Sequence, residues 1–159
     1  MAYLGGTPQT ACLGVKGGNV LFGEYNHQID EKGRIRIPAR LRADLGENFM
    51  VTKGTGGCLF LFSQAEWGTS LADKLTKVPL SDLEAQKSIR MFFSSAAELE
   101  VDNQGRYLMP RNLRDFAQIK KDIVFIGVGN RAEIWACEQY DANPFDYDRA
   151  IAELQKYGV

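Results

Sequence analysis

Asp30-Glu-Lys-Gly-Arg34-Ile-Arg-Ile-Pro38 and Asp102-Asn-Gln-Gly-Arg106-Tyr-Leu-Met-Pro110 place an arginine at the same point of the same short turn, 72 residues apart. The residue types suit one kind of chemistry. A short carboxylate at the start of a turn accepts backbone amides, and a glycine at its tip takes φ > 0 without steric cost. An arginine presented from such a turn can bind phosphate oxygens or the edge of a guanine. From Asp30 to Arg42 the cations Lys32, Arg34, Arg36, Arg40 and Arg42 outnumber the acids Asp30 and Glu31 by three. From Asp102 to Arg114 the cations Arg106, Arg111 and Arg114 outnumber Asp102 by two. The whole chain carries a formal charge of only −1. Two basic patches on a near-neutral chain make an uneven field that can steer a polyanion. For a single turn the simpler reading is an internal Asp–Arg ion pair. Duplication, and more cations than an ion pair needs, favour a surface that grips an anion. Asp30, Gly33, Asp102 and Gly105 are structural turn residues on either reading.

Other chemistries find little support. Cys12, Cys58 and Cys137 are scattered, His27 is the single histidine, and no Cys-x-x-Cys occurs. A structural zinc site needs about four closely spaced ligands, so no metal site is expected. Gly54-Thr-Gly-Gly57 and Gly127-Val-Gly129 lack a following Gly-Lys-Ser/Thr and lack dinucleotide-fold spacing, so they read as hairpin turns. His27 has no matching Ser or Cys nucleophile, and nothing sets the acids Asp30/Glu31 opposite Asp146/Asp148. No catalytic set, cofactor site or small-molecule substrate site is expected. No apolar run reaches 18 residues, so no membrane span is expected. The cysteine pattern fits a reducing cytosol.

The elements that carry the turns repeat as well. Aligning 26–42 with 98–114 gives six identities in seventeen positions, against about one by chance. Each copy predicts a short strand (Glu24–Ile29, Glu98–Val101), the turn, and a second strand (Arg34–Ile37, Arg106–Met109). Side chains alternate faces in a strand, so Ile35, Ile37, Tyr107 and Met109 point inward, and Arg34, Arg36, Arg106 and Leu108 outward. Pro38 and Pro110 then suit the first turn of a helix. That helix buries Leu41 and Leu45 and stops at Gly46 in copy one, with Leu113 and Ala117 in copy two. A β-hairpin closes each copy, Phe49–Lys53 with Cys58–Phe62 and Ile123–Ile126 with Ala132–Ala136. Two helices link the copies, each opened by a capping-box pattern, Ser63-Gln-Ala-Glu66 and Ser81-Asp-Leu-Glu84. The first carries Trp67, Leu71 and Leu75, the second a looser stripe of Leu83, Ile89 or Arg90, and Phe93. A last helix is predicted from Asn143, with Ala150, Ile151, Leu154 and Tyr157 on one face. Residues 1–19 hold five glycines and one charged side chain. They read as a flexible extension, a tag remnant or an upstream translation start. The expected organisation is therefore 1–19 extension, 24–67 first repeat, 68–94 linking helices, 95–138 second repeat and 143–158 C-terminal helix.

Val20-Leu-Phe-Gly-Glu-Tyr-Asn-His-Gln-Ile-Asp-Glu-Lys-Gly-Arg-Ile-Arg-Ile-Pro38, together with the second Asp102–Arg106 turn, closely resembles the MraZ family. These are bacterial regulators with two AbrB/SpoVT-type halves in one chain. The resemblance runs from about residue 20 to the last helix. It implies an α+β fold in which two swapped-hairpin halves form one pseudo-twofold β-barrel with helices outside. It implies a homo-oligomeric ring that binds double-stranded DNA at short direct repeats upstream of the division and cell-wall gene cluster. It implies regulation of transcription there, in the cytoplasm on the nucleoid, without enzymatic activity. Arg34 and Arg106 become the first candidates for DNA contact. Lys32, Arg36, Arg40 and Arg42 support the first, and Arg111 and Arg114 complete the second patch.

The copies are unequal. Leu108 stands where copy one has Arg36, and the second patch carries one charge fewer. Copy one is the expected main DNA contact, and copy two is assigned to assembly or weak backbone contact. A rival reading is a partner-binding module, in which the basic patch meets an acidic protein beside Trp67, Phe92, Phe93 and Tyr157.

Overall fold

Leu59-Phe-Leu-Phe62 is buried along its whole length, although side chains alternate faces in a strand. Such a strand must be covered on both sides. Leu59 and Leu61 join one core cluster, while Phe60 and Phe62 join another. The structure, a computed structural model, describes residues 20–159. The predicted extension, 1–19, lies outside the described residues.

The strands are β1 (Leu21–Gln28), β2 (Arg34–Ile35), β3 (Phe49–Lys53), β4 (Leu59–Ser63), β5 (Ala97–Leu99), β6 (Tyr107–Leu108), β7 (Asp122–Gly129) and β8 (Ala132–Ala136). Six of them form one antiparallel sheet in the order β1-β7-β8-β4-β3-β5. The first strand of each copy pairs with the hairpin of the other: β1 with β7, and β5 with β3. β2 and β6, which follow the two turns, pair with each other as a separate two-stranded sheet. Ile35 lies opposite Tyr107, its own counterpart at offset 72, and Leu59 lies opposite Ile134, its counterpart at offset 75. A residue facing its own counterpart is the register expected where two equivalent chains meet across a twofold.

The strands after the turns are shorter than expected, two residues each instead of four. Pro38 and Pro110 follow closely, lack an N–H and turn the chain into the helices α1 (Ala39–Leu45) and α4 (Arg111–Phe116). The predicted alternation holds. Ile35, Ile37, Tyr107 and Met109 are buried with Leu41, Leu45 and Leu113 against Leu59, Leu61, Ile123, Phe125 and Ile134. Leu108 is 59 % exposed on the outer face. β1 starts earlier than expected because it pairs with β7 over its full length, from Leu21 opposite Gly129 to Gln28 opposite Asp122.

The linking segment departs from the regular pattern. The helical stretch α2 runs through Gln64–Glu66, a π-helical turn Trp67–Ala72 and Asp73–Leu75. Ser63 caps it as expected, its Oγ accepting from the Glu66 amide at 3.2 Å. Trp67 and Leu71 cover the second cluster. α3 (Leu83–Ser94) is capped by Asp82 instead of Ser81, with Asp82 Oδ1 accepting from the Ala85 amide at 3.1 Å. A carboxylate at that position also complements the helix dipole. Its inward side carries half-buried Phe92, stacked on Phe60 at 6.4 Å, while Leu83 is 71 % exposed. Thr52 fixes the end of α3 to β3, donating to the Phe92 carbonyl at 2.6 Å.

A short α5 (Cys137–Asp141), absent from the sequence reading, follows β8 directly. The last helix, α6 (Tyr147–Gln155), begins at an Asp146 cap and not at Asn143. Its predicted apolar face is open, with Leu154 and Tyr157 exposed. Among the described residues no helix is long and apolar enough to cross a membrane.

Candidate functional site

Each turn is built around its aspartate. Asp30 Oδ1 accepts from the amides of Lys32 (2.9 Å) and Arg34 (2.8 Å), and Oδ2 accepts from Arg34 Nε at 2.7 Å. The Gly33 amide donates to the Asp30 carbonyl at 3.0 Å, and the Asp30 amide donates to the Arg34 carbonyl at 3.0 Å. Asp102 repeats the pattern, accepting from the Gln104 amide (2.8 Å), the Arg106 amide (2.9 Å) and Arg106 Nε (3.1 Å). Gly33 and Gly105 sit at φ 85° and 75°, the left-handed region their lack of a Cβ permits. The backbone amide of Arg34, then its side chain, hold the Asp30 carboxyl below the usual aspartate range against the opposing effect of burial. The amide of Arg106 does the same for Asp102. Amide donors stabilise the ionised form, which is the direction of both shifts.

The arms therefore contain the simple ion pair, and they also do more. Antiparallel pairing of β2 with β6 joins the strands of the two arms, with one turn at each end of the ribbon. A cavity of about 300 Å³ opens there, lined by His27, Gln28, Asp30, Arg34, Ile35, Arg36 and Arg106. Arg34 and Arg36 come from one copy and Arg106 from the other, so cations distant in sequence converge on one cleft. Arg34 and Arg106 are partly covered, with side chains 27 % and 21 % exposed. Each uses Nε on its aspartate, which orients the guanidinium. Arg36 reaches across to donate from Nη1 to the Gln104 carbonyl at 2.7 Å.

The remaining predicted cations lie outside this cleft. Lys32 is exposed at the tip of the first turn. Arg40 is exposed on α1, its guanidinium 5.6 Å from the Phe22 ring. Arg111 is open to solvent on α4 and only loosely paired with Asp115, at 3.8 Å. Arg42 and Arg114 are half-buried behind the arms. Arg42 lies over the Tyr107 ring at 5.9 Å, and Arg114 Nε donates to the Met109 carbonyl at 3.0 Å.

Two lining residues had no role in the sequence reading. His27 is half-buried, edge-on to Phe125 at 5.4 Å, and Gln28 donates to Asp122 Oδ1 at 3.0 Å. Their position at the end of β1, just before Asp30, was the available signal. Besides the Asp30 carboxylate, already held by backbone amides and Arg34, the cleft offers guanidinium donors and an imidazole, a set suited to oxyanions. Among the described residues no group of His, Cys, Asp and Glu is arranged to hold a metal ion.

Comparison with known proteins adds a separate line of support. A family model described as "MraZ protein, putative antitoxin-like" matches residues 20–90 and 92–145. The chain is 44 % identical over 144 residues to the Transcriptional regulator MraZ of Alkaliphilus metalliredigens, covering 88 % of this chain and 100 % of that protein. It shares 44 % over 144 residues with the protein of the same name from Clostridium tetani, with the same coverage. It shares 47 % over 122 residues with that of Carboxydothermus hydrogenoformans, covering 77 % of this chain and 85 % of that protein. With its doubled Asp-x-x-Gly-Arg arms and a match that spans the chain from residue 20 to residue 145, this protein belongs to the MraZ family.

Proposed function

We propose that the chain is a DNA-binding transcription regulator whose paired arms grip the phosphate backbone and adjoining base edges. The observation that carries this reading is the convergence of Arg34, Arg36 and Arg106 on one cleft between the two arms. The relatives' shared name, transcriptional regulator, agrees with it. Arg34 and Arg106 make the primary contacts, Arg36 forms the cleft wall, and exposed Lys32, Arg40 and Arg111 extend the cationic surface along the duplex. The two repeats, 24–67 and 95–138, form one pseudo-twofold barrel of swapped hairpins, a reading supported by the β1–β7 and β5–β3 pairings. Several copies assemble into a ring that presents its arms to direct repeats upstream of the division and cell-wall gene cluster. Each copy alone makes few contacts, and linkage raises affinity through effective concentration. The protein acts on the nucleoid and is not an enzyme.

The rival partner-binding reading keeps only part of its surface, since Phe93 and Tyr157 are exposed while Trp67 and Phe92 are half-buried. Trp67 and Phe92 pack into the second core cluster, and the Phe93 ring meets Trp67 at 5.9 Å. The DNA-binding reading is tested by measuring promoter-fragment affinity across a salt series for wild type and Arg34→Ala. The wild type should show a steep slope of log affinity on log salt, and the variant a slope shallower by about one per arm lost. Equal affinity and slope in the two proteins would remove Arg34 from the contact set.

A further inference from the structure

Arg114 belongs to copy two but ends on the turn of copy one. A Cβ built on Gly33 would come within 2.7 Å of Arg114 Cζ, so the guanidinium lies directly against the turn backbone. Arg114 Nε donates to the Met109 carbonyl at 3.0 Å, and the Met109 amide donates to the Gly33 carbonyl at 2.8 Å. Gly33, Met109 and Arg114 are thus one connected set that crosses from copy to copy. The reverse crossing uses Arg36 first, with Arg42, the counterpart of Arg114, farther off at 3.8 Å from the position a Gly105 Cβ would take. Arg36 Nη1 donates to the Gln104 carbonyl at 2.7 Å and lies 3.4 Å from the position a Gly105 Cβ would take. Leu108, the counterpart of Arg36, has no donor with which to hold the first turn, and Arg114 does so from the other side.

We infer that Arg114 and Arg36 are positioning residues, each holding the turn of the copy to which it does not belong, so that the two arms are presented as one preorganised unit. Arg114 is half-buried behind the arm and is not among the residues that line the cleft, so it is poorly placed to meet a phosphate itself. Releasing such a brace lowers the fraction of molecules with a competent arm. Apparent affinity falls by that fraction, while the contacts made by the competent form stay the same. The inference rests on the DNA-binding reading for its functional consequence, but not for its structural content.

Amide hydrogen exchange on the full chain without DNA tests it first. Arg114→Lys keeps the charge and loses the Nε donor. It should speed exchange at Lys32, Gly33 and Arg34 by about tenfold, the weight of one charge-assisted hydrogen bond, and leave Gln104 and Arg106 unchanged. Arg36→Ala should do the opposite, freeing Gln104 and Arg106 and sparing the first turn. Effects confined to each arginine's own copy, or no change in either turn, would overturn the inference. Promoter-fragment binding then separates positioning from contact. Arg114→Lys and Arg114→Met should both bind about tenfold more weakly with the wild-type salt slope. Full affinity in Arg114→Lys, or a shallower slope in Arg114→Met, would make Arg114 a phosphate contact and refute the brace. If Arg114→Met fails to fold, Arg114→Lys decides the matter. If the wild type binds no DNA, the functional reading falls, and the exchange pattern still decides whether the arms are cross-braced.

Discussion

Replacing Gly33 or Gly105 by alanine applies the same chemical change at matched points of the two copies, and the expected costs differ. Both residues hold positive φ, 85° and 75°, where a Cβ costs about 1.5 kcal/mol. At Gly105 little more is expected, because the nearest side-chain atom, Arg36 Nη1, stands 3.4 Å from the new methyl. At Gly33 the methyl would sit 2.7 Å from Arg114 Cζ, so the arginine must swing away. Its bond to the Met109 carbonyl is then lost, which for a half-buried charged donor costs about 1 kcal/mol more. Gly33→Ala should therefore destabilise by about 2.5 kcal/mol and Gly105→Ala by about 1.5 kcal/mol. Urea unfolding of the two variants reads the difference, with unchanged m-values as the check that the denatured state is the same. In an Arg114→Ala background the two glycine substitutions should become equal, a coupling of about 1 kcal/mol between Gly33 and Arg114. Equal costs in the native background, or no coupling in the double-mutant cycle, would refute the packing of Arg114 on the first turn.

Three further outcomes follow from the geometry. Asp30 and Asp102 are held below the usual aspartate range in the folded arms, so their contribution is complete above that range and is lost as pH falls through the lowered values. Protection of the Lys32, Arg34, Gln104 and Arg106 amides, relative to their intrinsic exchange at each pH, should hold at pH 5 and fall below about pH 4, whereas protection kept at still lower pH would separate the carboxylates from arm order. The Cys58 thiol is buried and its pKa is pushed up to about 12 by burial first and Glu133 second. A thiol-alkylating reagent at pH 8 should leave Cys58 unmodified until denaturant is added, and rapid native labelling would contradict its burial. Asp82→Ala should cost about 1 kcal/mol in thermal or urea unfolding and Ser81→Ala less than about 0.5 kcal/mol, because Asp82 carries the cap of α3. The reverse order would restore Ser81 as the cap.

Features set by near neighbours in the chain were readable from the sequence. The two aspartate-centred turns, the inward Ile35, Ile37, Tyr107 and Met109, the helices after Pro38 and Pro110, and the Ser63 cap all depend on residues within a few positions. Periodicity and turn chemistry report such features directly. Where two local solutions compete, the pattern misled. Ser81 and Asp82 are both good caps, and the tie was broken only in the folded helix, where Asp82 Oδ1 accepts from the Ala85 amide. The spacing that suggested Phe93 gave way to Phe92 for the same reason, since only the packed helix fixes which residue faces Phe60.

What the sequence by itself determined is the duplicated unit, the inward and outward faces of its strands, and the basic arms. Which copy each arginine serves was decided only by the tertiary structure. In sequence, Arg34 and Arg106 lead two basic runs, with Arg36, Arg42 and Arg114 in support, each assigned to its own copy. In space, Arg34, Arg36 and Arg106 line one cleft, Arg114 lies behind the arm of the opposite copy, and Arg42 lies over Tyr107. The physical reason is the pairing of β2 with β6, and of β1 and β5 with the hairpins of the opposite copies. Those pairings join segments some 50 to 100 residues apart, far beyond the reach of turn chemistry or periodicity. They depend on burying both faces of a shared sheet, a condition that belongs to the folded chain as a whole.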